Sequence, residues 1–110
     1  MAEEASKETI EKALEAVETA RATGKIRKGT NETTKAIEKE QAKLVVVAKD
    51  VSPPEVTMHI PLLCKEKNIP CVVGASKEEL GAAAALGVGT SSVAIVEEGE
   101  SAKIIKELTK

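Results

Sequence analysis

No phenylalanine, tyrosine or tryptophan occurs anywhere in the 110 residues. That absence constrains the chain more than any other feature. A core must be assembled from Ile, Leu, Val, Ala and Met, without the large buried area a ring contributes. It also removes a mechanism, because single-strand binders of the RRM and OB type stack bases on aromatic rings. The remaining composition is globular, with 42% hydrophobic and 31% charged residues. No apolar run approaches the ~20 residues of a membrane span. The acidic start, Met1-Ala2-Glu3-Glu4, lacks the layout of a secretory signal. A cytoplasmic, single-domain monomer covering residues 1–110 is the expectation.

Hydrophobic spacing lays out alternating helices and strands. Ile10, Ala13, Leu14, Val17 and Ala20 recur at intervals of three and four, which predicts an amphipathic helix from Ser6 to Ala22, stopped by Gly24. A short extended piece at Lys25–Lys28 leads to a second helix reaching about Lys39. The continuous apolar run Leu44–Ala48 predicts a strand buried on both faces. Ser52-Pro53-Pro54-Glu55 has the form of a capping box and predicts a helix carrying Val56, Ile60, Leu63 and Cys64 inward. Cys71-Val72-Val73 is a further short strand. Ser76-Lys77-Glu78-Glu79 is a second capping box, opening an Ala-rich helix to about Leu86. After the loop Gly87-Val88-Gly89-Thr90, a strand over Ser92–Val96 and a last helix with Ile104, Ile105 and Leu108 inward complete the chain. Strands and helices in this alternation imply an α/β fold, a three-layer α/β/α sandwich.

The net charge of −2 conceals an asymmetry. Between Arg21 and Lys49 eight basic residues stand against three acidic ones, so the rest of the chain is strongly acidic. A local basic zone on an acidic body suits a discrete polyanion site, although a solvated helix face has the same charge pattern. Helical phase separates Thr33, Ala36 and Ile37 on one side from Asn31, Lys35 and Glu38 on the other, with Glu32 and Lys39 flanking. Asn31 and Glu32 therefore occupy the first turn just after Arg27-Lys28-Gly29, where free N–H groups and the helix dipole favour anions. Glu32 is the informative residue. A carboxylate cannot grip a phosphate, but it can accept from base N–H groups. The plainer reading is that Thr30 or Asn31 caps the helix and Glu32 favours its N-terminus.

The thiols and the imidazole give weaker signals. Cys64 and Cys71 are too few and too loosely spaced for a zinc site or a redox pair motif, and both lie in apolar segments. His59 has no partner identifiable from sequence. The Gly87-Val88-Gly89 loop follows a helix and precedes a strand, the reverse of a dinucleotide fingerprint. No enzyme, cofactor or metal is expected.

The runs Ile26-Arg27-Lys28-Gly29-Thr30-Asn31-Glu32-Thr33-Thr34-Lys35-Ala36-Ile37-Glu38 and Ala42–Ala48 resemble the kink-turn RNA-binding ribosomal proteins of archaea, the "L seven Ae" family. The likeness continues through Asp50–Val56, His59-Ile60-Pro61-Leu62-Leu63-Cys64 and Ser92-Val93-Ala94-Ile95. It implies a mixed four-stranded sheet and a partner that is kink-turn RNA: rRNA, box C/D and H/ACA guide RNA, or RNase P RNA, with ribonucleoprotein partner proteins. By the family's pattern Asn31, Glu32 and Lys35 would contact the sheared G·A pairs. Lys28 and Gly29 would lie against the backbone, beside Arg27, Thr30 and Lys39. The loop from Leu86 through Thr90 to Ser91 would cover the flipped-out nucleotide, with Leu86 and Val88 as its apolar contacts. The sequence departs from the pattern at Glu38-Lys39-Glu40, where Glu-Arg-Gly is usual, and wherever the family carries rings. Those departures suit an engineered, aromatic-free variant, and they imply an alternative in which the fold persists with RNA binding weakened or lost.

Overall fold

The computed structural model describes residues 5–50 and 57–108. Helix α1 (Lys7–Thr23) is followed by β1 (Lys25–Lys28), α2 (Thr30–Glu38), β2 (Leu44–Ala48), α3 (His59–Glu66) and β3 (Cys71–Ala75). Then come α4 (Lys77–Ala83), β4 (Ser92–Glu97), one 3₁₀ turn (Gly99–Ser101) and α5 (Ala102–Leu108). The capping box at Ser52–Glu55 and Val56 lie outside the described residues. Within them, α3 begins at His59, with Met58 before it and no side-chain cap.

The strands form one mixed sheet in the order β1-β4-β2-β3. β4 pairs antiparallel with both β1 and β2, and β2 pairs parallel with β3. Alternation along the strands sends side chains to two separate clusters. Leu44, Val46, Val72, Val93 and Ile95 meet α1, α4 and α5 on one face. Val45, Val47 and Ala94 meet Ala36 and Ile37 of α2 and Ile60 and Cys64 of α3 on the other. This is the three-layer α/β/α sandwich expected. β2 is buried at every position, as its unbroken apolar run predicts. β3 is an edge strand, so Cys71 and Val73 are only half-buried.

Without rings, close approach replaces bulk. Ala13, Ala16 and Ala20 are fully buried on α1, which lets that helix lie near the sheet. The largest fully buried side chains are Ile37, Leu44, Ile60, Leu80 and Ile95. An apolar hollow of ≈ 360 Å³, open to solvent, remains between Ala5, Thr9, Leu44, Val72 and Leu108. Gly24 ends α1 as expected but for another reason than a left-handed cap. Its φ is −137°, and a Cβ there would run into the carbonyl of Glu97.

Three other helices end alike. After α2, α3 and α4, residues Glu40, Asn68 and Ala85 take positive φ of 57°, 59° and 60°. Each is followed by an N–H returned to the carbonyl five residues back: Gln41 to Ala36, Ile69 to Cys64, Leu86 to Gly81. These are Schellman turns, usually built on glycine. The third corrects the expected extent of α4, which stops at Ala83 rather than Leu86 because the returning Leu86 N–H closes it early. Glu40 carries the Cβ penalty that glycine avoids. Glu40→Gly is therefore expected to stabilise the fold by ~1 kcal/mol, measured as a higher denaturant midpoint at unchanged slope.

Candidate nucleic-acid interface

The candidate site starts where β1 hands over to α2. Gly29, at φ 93°, makes the turn, and its N–H donates to the Ser92 carbonyl at 2.9 Å. It is the N-cap of α2, and no side chain caps that helix. The plainer reading, that Thr30 or Asn31 serves as the cap, does not hold. The Thr30 hydroxyl instead lies 2.7 Å from that of Ser91, and Asn31 is exposed.

Helical phase works as the apolar spacing implies. Thr33, Ala36 and Ile37 are buried, while Asn31, Glu32, Lys35, Glu38 and Lys39 face solvent. Thr33, the one polar residue on the inner side, receives the Ser92 hydroxyl proton at 3.2 Å. Lys35 Nζ stands 4.0 Å from Glu32 Oε1, both side chains more than half exposed. Such a pair holds little energy, so neither group is committed to the other. Arg27, Glu32, Lys35, Lys39 and Gln41 line a shallow hollow of ≈ 150 Å³ floored by Ala36. Four charged residues singled out in the sequence thus share one depression. Lys28 is exposed on β1 beside it.

The second part of the site is the loop between α4 and β4. Val88 is 75% exposed, whereas Leu86 is half-buried against the first core cluster. Both border a hollow of ≈ 210 Å³ with Ala82, Gly87 and Gly89. Gly81 allows the loop to fold back, since a Cβ at that position would meet the Val88 carbonyl. Thr90 is buried, with its N–H on the Lys77 carbonyl at 3.1 Å and its hydroxyl on the Ser92 carbonyl at 3.4 Å. It fixes the loop from within. Ser91 turns the other way, toward Thr30.

Several contacts were not legible in the sequence. The Thr30–Ser91 bond ties the helix to the loop across 61 positions. The Thr34 hydroxyl donates to the Thr30 carbonyl at 2.8 Å and lies 2.8 Å from His59 Nε2. With the Thr34 proton on that carbonyl, the imidazole is the donor, and α3 thereby braces the first turn of α2. A Thr one turn after another Thr is the only local signal for this arrangement. Among the described residues no group of three or more His, Cys, Asp or Glu side chains could hold a metal ion. No helix among them is long and apolar enough to cross a membrane.

Comparison with known proteins adds to this geometry. The structure is similar to that of a 15.5kD RNA binding protein of Giardia lamblia, with a TM-score of 0.89 and 30% sequence identity over 96% of this chain and 88% of that one. Residues 11–105 match the ribosomal protein L7Ae/L30e/S12e/Gadd45 family. With most of its length matched and both clusters in place around the mixed sheet, the chain belongs to that family.

Proposed function

We propose that this chain is a non-enzymatic RNA-binding protein that recognises kink-turn motifs in rRNA and guide RNAs. The observation that carries the reading is the exposed, uncapped first turn of α2. It presents an amide at Asn31, a carboxylate at Glu32 and, one turn on, an amine at Lys35. Sheared G·A pairs expose base edges that such donors and acceptors can meet. Lys28, Gly29, Arg27 and Lys39 suit the phosphate backbone alongside, where they set register and salt dependence. The exposed Val88 and the neighbouring Leu86 suit the face of a nucleotide turned out of the stack, and no ring is needed for that contact. Thr30 and Ser91 hold the two halves in register. Membership of an RNA-binding ribosomal family and the similar Giardia protein support RNA as the ligand class.

A gel-shift titration with a kink-turn RNA tests it. Tight, salt-sensitive binding that weakens when one G·A pair is mutated is expected, and equal affinity for the mutated RNA would reject base readout. Lys28→Ala should weaken binding about equally for both RNAs and reduce the salt slope by ~1, the mark of a phosphate contact. A second reading keeps the fold as a scaffold with weakened RNA binding. Its support is Glu40, an added negative charge one residue before Gln41 of the hollow. It predicts no rise in melting temperature when kink-turn RNA is added.

A further inference from the structure

Four side chains from distant parts of the sequence join along one flank of α2. The His59 imidazole, at the first position of α3, donates from Nε2 to the Thr34 hydroxyl at 2.8 Å. That hydroxyl passes its own proton to the Thr30 carbonyl, also at 2.8 Å. Thr30 in turn meets Ser91 at 2.7 Å through their hydroxyls. Thr30 and Thr34 are one turn apart and project on the same side of the helix, while helical phase puts Glu32 and Lys39 of the charged hollow on the other. No side chain caps α2 at Gly29, so its first turn has no local anchor. The inner side supplies the Ser92–Thr33 hydrogen bond at 3.2 Å and the packing of Ala36 and Ile37, which is non-directional. His59 adds a directional contact from a second helix, at the exposed edge.

We infer that His59 is a positioning residue for the nucleic-acid interface. Through Thr34 it fixes the rotation of α2 about its own axis, and with it the direction in which Asn31, Glu32 and Lys35 present their polar ends. A binding constellation has to be held to within ~0.5 Å and ~10–20° by the hydrogen bonds behind it. Apolar contacts with short Ala side chains cannot set an angle that finely, whereas a bond from α3 to the first turn can. The bond of His59 runs to Thr34, not to any of the three residues assigned to base edges. Its effect on a ligand is therefore indirect. The inference rests on the RNA reading for the ligand, and it adds a residue of α3 that the reading does not use.

The test compares the parent with His59→Ala and His59→Gln, whose side-chain amide offers a donor at similar reach, at about pH 8, where an ordinary imidazole is neutral. In the free protein, the backbone amide resonances of Asn31, Glu32 and Ser91 should move in His59→Ala and return toward the parent in His59→Gln. In titrations with kink-turn RNA, His59→Ala should weaken binding roughly 3- to 10-fold, the share of one net hydrogen bond, and His59→Gln should stay close to the parent. An unbent duplex, gripped at its phosphates, should bind His59→Ala and the parent alike. The melting temperature should change little, because His59 is exposed. Thr34→Val should weaken kink-turn binding at least as much as His59→Ala, and adding His59→Ala to it should cost nothing further. Unchanged kink-turn affinity in His59→Ala, with the parent binding tightly, would overturn the inference and leave the RNA reading standing. So would unmoved amides, an equal loss on both RNAs, or a loss that His59→Gln does not restore. A parent that fails to distinguish the kink-turn RNA from the duplex would instead remove the RNA reading, and this inference with it.

Discussion

Replacing Ile37 with alanine should destabilise the chain by ~2–5 kcal/mol, a large share of the ~5–15 kcal/mol that holds a domain of this size together. Ile37 is fully buried and, among the described residues, is one of two fully buried isoleucines in the cluster that joins α2 and α3 to the sheet. Its neighbours include Ala36, Ala42 and Ala94, whose methyl groups sit on helix or strand backbone. Such short side chains cannot swing into the space left behind, so the cavity persists and the cost lies toward the upper end. A ring in the same layer could have tilted to fill part of it, and this chain has none. Ile104, half-buried on α5, serves as the control and should cost clearly less. Urea unfolding of both variants measures the difference. A loss below ~1 kcal/mol for Ile37→Ala would mean that the second cluster is loosely packed and that α2 is held by its hydrogen bonds to Ser91, Ser92 and His59 instead.

Those hydrogen bonds mark where sequence reasoning stopped. Local periodicity is written in the chain, so the inner face of α2, the burial of β2 and the capping box at Ser76 and Glu79 all appear in the structure as expected. Long-range polar partners leave no such trace. Nothing near Thr30 announces Ser91, and nothing near Thr33 announces Ser92. Helix ends fail for a related reason. Ala82 to Ala85 are all good helix formers, yet α4 stops among them because the loop beyond must return to meet Gly81 and Lys77. Gly24 was legible as a stop, but its cause, the Glu97 carbonyl, is 73 residues away.

A substitution at Glu32 tests what α2 does, because two roles for its carboxylate give effects of opposite sign. RNA is a polyanion, so by charge alone Glu32→Gln should tighten binding by removing a repulsion. If the carboxylate accepts from base N–H groups of sheared purine pairs, the opposite holds for the specific ligand, and affinity should fall by ~1–3 kcal/mol, or roughly 5- to 150-fold. Against an unbent duplex of equal length, where no base edge is offered, the variant should bind slightly tighter. That crossing of signs is unavailable to a cation, whether it meets a base or a phosphate: Lys35→Ala should weaken both complexes, and the kink-turn complex more. Fold damage cannot imitate it either. Glu32 is exposed and its ion pair with Lys35 spans 4.0 Å, so the melting temperature of Glu32→Gln should stay close to that of the parent. Paired titrations at one salt concentration provide the comparison. If Glu32→Gln bound both RNAs more tightly, the carboxylate would be a partner of the helix dipole and nothing more, and readout of purine edges by this turn would be lost with it.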